Sequence, residues 1–97
     1  MAMFNPPHPG EFILATYMEP HNISCRKLAM YLDVAASTLN RVLKGNSSVT
    51  PEMALRLSKT LGRSPESWLQ MQDNFDLAVA KQNIELTTVK RIDLDAA

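Results

Sequence analysis

The 97-residue chain predicts an all-α fold of five short helices. Three observations carry that expectation. Apolar residues recur at helical spacing in one segment after another. Two helix starts share one pattern, Thr50-Pro51-Glu52 and Ser64-Pro65-Glu66, each a hydroxyl N-cap, a proline at N1 and an acid in the first turn. Gly45 and Gly62 stand where such runs stop.

Residues 1–8, MAMFNPPH, read as an extended leader, because consecutive prolines exclude a helix there. A single domain is expected over 9–83, followed by a tail over 84–97. Pro9-Gly10-Glu11 opens the first helix, which should run to about Met18 with Phe12, Ile13 and Tyr17 towards the core. Pro20, His21 and Asn22 are expected to end it. Ser24 then caps a second helix whose Cys25, Leu28, Ala29 and Leu32 form one apolar stripe. Asp33, Val34 and Ala35 break that stripe, with Val34 placed to plug the corner before the next helix.

The third helix spans Ala36 to Leu43, with Lys44 in its last turn and Gly45 as a left-handed stop. Leu39, Val42 and Leu43 face inward. Ser37, Asn40, Arg41 and Lys44 face out, and Thr38 lies at the border. With Thr38 included, that outward set holds two cations and three hydrogen-bonding side chains, and no carboxylate. Such a face suits a helix lying in a DNA major groove. It also suits ordinary hydration, or an acidic protein partner. The tight turn and the paired second helix favour DNA.

Asn46 to Val49 is a polar loop whose Ser47 and Ser48 offer amides or hydroxyls to phosphate. The fourth helix buries Ala54, Leu57 and Leu61 and stops at Gly62. The fifth should reach about Asn83, with Trp68, Met71 or Gln72, Phe75 and Val79 on its inner side. Leu69 and Leu77 are left over, and a dimer interface is the economical use for them. The tail, IELTTVKRIDLDAA, reads as a short strand, a helical turn or a mobile segment. Its Ile84, Leu86, Val89, Ile92 and Leu94 call for a second protein or the other subunit.

The formal net charge is zero, but the charges are not evenly spread. Between Ser24 and Arg63, seven cations oppose two carboxylates; from Ser64 onward, three oppose six. Phosphate contacts need local charge, so a basic half and an acidic half are compatible with nucleic-acid binding. One cysteine excludes an internal disulfide, and Cys25 sits on an apolar stripe as a small core hydrophobe. His8 and His21 lack a ligand pattern, so neither a metal nor another cofactor is expected. No signal peptide or apolar run of about 20 residues is present, which reads as a soluble, cytoplasmic protein. An enzyme is disfavoured, since there is no histidine paired with an acid at useful spacing, phosphate loop or nucleophile elbow.

Longer motifs sharpen the reading. His8-Pro9-Gly10-Glu11, Leu28-Ala29, Leu43-Lys44-Gly45, the run from Thr50 to Leu57, and Ser64 to Leu69 with Gln72 resemble HigA-type antitoxins of bacterial toxin–antitoxin pairs. These carry the lambda-repressor-like, or XRE-type, helix-turn-helix fold, and the resemblance covers about His8 to Ala80. It implies a homodimer that inhibits a HigB-type toxin, an mRNA-cleaving ribonuclease of RelE-like fold, and represses its own operon. It also implies base reading by Ala36, Ser37 and Arg41, with Asn40 beside them on the outward face, and phosphate contacts near Ser24, Thr38 and Lys44. Two departures stand out. Ala35 replaces the usual Ser or Thr cap of the recognition helix, at a cost of about 1 kcal/mol. Ala36 retains only a methyl contact for readout. A dimer of this kind would set two recognition helices about 34 Å apart on a palindromic operator. A free-standing XRE-type regulator and a protein-interaction module are the alternatives.

Overall fold

The computed structural model describes residues 5–95, and five helices follow in the expected order among them. Residues 1–4 of the expected leader and 96–97 of the tail lie outside the described residues. The first helix, α1, covers 9–21. It is α-helical at Pro9–Ile13, π-helical at Leu14–Met18 and α-helical again at Glu19–His21. It therefore runs past Pro20, correcting the expected end near Met18. A proline inside a regular helix has no N–H to give, and its ring meets the carbonyl four residues back. Here the turn before it is widened, with the Glu19 N–H returning to the Leu14 carbonyl. Asn22 then takes the left-handed conformation that closes the helix, at φ 54°.

The next two helices match their expected bounds, α2 at Cys25–Leu32 and α3 at Ala36–Leu43. Ser24 Oγ accepts the Lys27 N–H at 3.1 Å, as an N-cap should. Asp33 closes α2 at φ 56°, in the left-handed region that asparagine and aspartate tolerate best after glycine. No side chain caps the start of α3, because Ala35 has nothing to offer. Ala35 is exposed with extended backbone, φ −65° and ψ 143°, so a hydroxyl fits there. Ala35→Ser should raise stability by about 1 kcal/mol, read as a higher denaturation midpoint with an unchanged m-value.

The end of α3 is a complete Schellman closure. The Gly45 N–H bonds the Val42 carbonyl at 3.0 Å and the Asn46 N–H bonds the Arg41 carbonyl at 2.9 Å. Gly45 sits at φ 78°, where a β-carbon is strained. Thr50 caps α4, Pro51–Leu61, and Ser64 caps α5, Pro65–Asn83, each through its hydroxyl oxygen.

The core collects Ile13, Met18, Leu28, Ala29, Leu32, Leu39, Val42, Leu43, Val49, Met53, Ala54, Leu57 and Trp68 from all five helices and the loop after α3. Trp68 is fully buried and donates its indole N–H to the Gly62 carbonyl at 3.0 Å. Phe12 and Tyr17 set their rings against it, and Leu61, Leu69 and Met71 pack half-buried on the core. α5 packs on α4 and on the start of α1, and only its first half is covered. Val79, expected on the inner stripe, is 43% exposed and lines a pocket with Asn5, Pro6, Pro7 and Glu11 instead of joining the core. The described tail residues, 84–95, form turns without a strand or helix, and every one is exposed. The radius of gyration is accordingly 17.1 Å, against about 12.5 Å for a compact chain of this length.

Candidate nucleic-acid interface

The pair α2–α3, with the loop that follows it, forms the site. Leu39, Val42 and Leu43 anchor α3 to the body, which leaves Ala36, Ser37, Asn40, Arg41 and Lys44 exposed together on its other side. Thr38 is half-buried at the edge, as its border position implied. The Arg41 guanidinium makes no hydrogen bond or ion pair among the described residues, and neither does the ammonium of Lys44. A guanidinium left unengaged on a rigid helix can present its planar fork to a guanine or a phosphate without first breaking another bond.

Two other cations of the basic half are committed elsewhere. Arg56 donates to the Leu32 carbonyl at 2.8 Å and the Asp33 carbonyl at 3.0 Å, satisfying the end of α2, and pairs with Glu52 at 3.0 Å. Its partner carboxylate is largely exposed, so the value of the arrangement lies in the carbonyl bonds and not in the ion pair. Arg63 lies over the Phe12 and Trp68 rings, 5.1 and 5.7 Å from their centroids. Counting charge along the chain therefore overstates what this face offers to DNA. Ser24 is exposed; its oxygen is occupied as the α2 cap, and its hydroxyl proton remains available. Ser48 is exposed and Ser47 half-buried in the loop after α3.

What seats α3 is the motif His8-Pro9-Gly10. A β-carbon at Gly10 would lie 2.0 Å from the Val42 carbonyl oxygen and 2.8 Å from Leu43 Cα. The backbone of α1 is thus in direct contact with the last turn of α3. His8, assigned from sequence to the leader, is buried and caps α1 by accepting the Gly10 N–H on Nδ1 at 2.9 Å. Its ring meets Phe75 of α5 edge-on, with centroids 5.0 Å apart. A proline-led helix start with a preceding histidine was the available signal, since histidine can cap through its neutral nitrogen.

Burial lowers the His8 pKa from 6.5, opposed by the charge of Asp76, the Ser47 backbone and the charge of Glu11. A folded-state value below the unfolded one means that the unfolded chain binds the proton more tightly. The stability due to neutral His8 is therefore complete above pH 6.5 and is lost as pH falls from there through the folded-state value. His8→Asn keeps a capping oxygen and does not titrate. Between pH 7.5 and 5, wild type should lose stability relative to that variant in paired urea melts; parallel curves would remove His8 as the cause.

Neither leucine assigned to a dimer contact is fully covered. Leu69 is half-buried against the core, and Leu77 is 55% exposed. Among the described residues, no helix is long and apolar enough to cross a membrane.

Comparison with known proteins agrees with this geometry. The helix-turn-helix family pattern matches residues 14–68, which include α2, α3 and α4. The solved structure of antitoxin GraA superposes with a TM-score of 0.86 at 37% identity, covering 91% of this chain and 98% of that one. The antitoxin HigA of Pseudomonas aeruginosa, solved with the higBA promoter, superposes with a TM-score of 0.75 at 31% identity, covering 86% and 99% of the two chains. The HTH-type transcriptional regulator YddM of Escherichia coli K12 is 37% identical over 92 residues, 95% of this chain and 97% of its own.

Proposed function

The chain belongs to the helix-turn-helix family of DNA-binding antitoxins and regulators, a non-enzymatic class, and from that membership we propose that it is the antitoxin of a toxin–antitoxin pair. In this reading a homodimer binds a palindromic operator upstream of its own gene and represses it. The same protein neutralises a HigB-type ribonuclease. The observation that carries the DNA half is the exposed set Ser37, Asn40, Arg41 and Lys44 on a helix held from behind by Gly10. Arg41 reads a guanine through its O6 and N7, with Ser37 and Asn40 beside it and Ala36 against a thymine methyl. Lys44, Ser24, Thr38, Ser47 and Ser48 contact phosphates. Support also comes from the promoter-bound relative, at 31% identity.

The protein half rests on surface the fold leaves uncovered. Leu77 and Val79 on α5 and Ile84, Leu86, Val89, Ile92 and Leu94 after it are all exposed. Together they exceed the scattered apolar residues of an ordinary monomer surface. A second subunit on α5 and the toxin on the acidic side account for them.

Two measurements test the proposal. Purified protein should retard a fragment of its own upstream region at about 0.15 M salt and leave a scrambled fragment of equal length far less bound. Co-expression with the adjacent gene should yield a stable complex on pull-down, and protection from growth arrest. Retardation without a partner would favour the second reading, a free-standing regulator; YddM is likewise named as a transcriptional regulator. Neither would leave a protein-interaction module. Lys44→Ala should weaken operator and scrambled DNA by the same factor and reduce the slope of log affinity against log salt by about 1.

A further inference from the structure

We propose that Gln72 and His8 are positioning residues for DNA binding, holding the loop after α3 in the path that presents Ser48 to a backbone phosphate. The inference rests on the DNA-binding reading above. Gln72 lies on α5, far from the exposed face of α3, and is only 4% exposed. Its Oε1 accepts the Val49 N–H at 2.8 Å, and its Nε2 donates to Asp76 Oδ1 at 3.0 Å. Asp76 thereby fixes which way the Gln72 amide faces. From the other flank, the His8 ring lies against the loop, 3.8 Å from where a Gly45 β-carbon would sit.

The loop is pinned on both sides of one residue. The N–H groups of Asn46 and Ser47 both return to the Arg41 carbonyl, at 2.9 and 3.2 Å. The Val49 N–H goes to Gln72. Ser48, between them, is exposed, and neither its N–H nor its hydroxyl donates a hydrogen bond among the described residues. Two neighbouring donors on a clamped loop, beside a helix end carrying Lys44, make a phosphate contact that needs no ordering on binding. A purely structural glutamine would satisfy the Val49 N–H and affect nothing outside the fold.

The test separates these roles. Binding is measured for the full chain on the upstream fragment and on scrambled DNA, well below the unfolding midpoint. Gln72→Leu keeps the volume and removes the acceptor, and should weaken both fragments by about tenfold. Because no cation is lost, the salt slope should not change, unlike that of Lys44→Ala. The swap Q72E/D76N keeps an acceptor for the Val49 N–H and rebuilds the 72–76 hydrogen bond with donor and acceptor exchanged, and should recover affinity to within about threefold of wild type. Should Gln72→Leu not fold, Asp76→Ala at an exposed position carries the test, with an expected loss of about threefold on both fragments. Native-like circular dichroism with wild-type affinity in these variants would overturn the proposal. So would a swap that restores the unfolding midpoint but not binding. Failure of wild type itself to bind either fragment would instead remove the DNA-binding reading.

Discussion

Gly10→Ala should destabilise the protein by about 3 kcal/mol or more, the upper end of what overpacking a tight contact costs. The direction is informative, because Gly→Ala in an uncrowded helix interior stabilises by about 1 kcal/mol. Here the added methyl meets backbone, the Val42 carbonyl oxygen at 2.0 Å and carbon at 2.8 Å, and no side-chain tip that could rotate away. Relief requires α1 to lift from α3. That movement would also disturb the Gly10 N–H bond to His8 and, through His8, the contact with Phe75. Denaturant melts should show the midpoint falling. Operator affinity should fall beyond the fraction unfolded, because the last turn of α3 carries Arg41 and borders Lys44. A midpoint equal to or above wild type would show that α1 and α3 do not meet this closely.

Arg41→Ala should cost about 1–3 kcal/mol at the operator, roughly 5- to 150-fold in affinity, with much less loss on scrambled DNA. Stability should stay within about 0.5 kcal/mol of wild type, since the Arg41 side chain is exposed and unengaged and its carbonyl bonds survive the substitution. The substitution therefore isolates recognition from folding. A selection on randomised sites should show relaxed preference at the base pair it reads. Equal losses on specific and scrambled DNA would make Arg41 a phosphate contact and move base reading to Ser37 and Asn40.

The helices were legible because their signals are local. Ser24, Thr50 and Ser64 cap helices through their own side chains, three prolines sit at N1, and Gly45 stops α3. All of these act within one turn of chain. The inner and outer faces of α3 follow from Leu39, Val42 and Leu43 with equal directness. Pro20 misled because a widened turn before it absorbs the usual clash, and nothing nearby in sequence announces that turn. Arg56 and Arg63 counted as DNA-facing charge, yet their partners include two carbonyls and the Phe12 ring, brought from 23 to 51 residues away.

By itself, then, the chain's order of residues determined the number of helices, most of their ends and which side of α3 meets solvent. Capping and periodicity are short-range effects that need no knowledge of what lies opposite. Only the tertiary structure decided that His8 belongs to the fold, that Gly10 is the point where α1 touches α3, and that Gln72 reaches the loop after it. Those depend on distances between segments far apart in the chain. They arise once burial of Ile13, Leu39, Leu57 and Trp68 has drawn the helices into a single core.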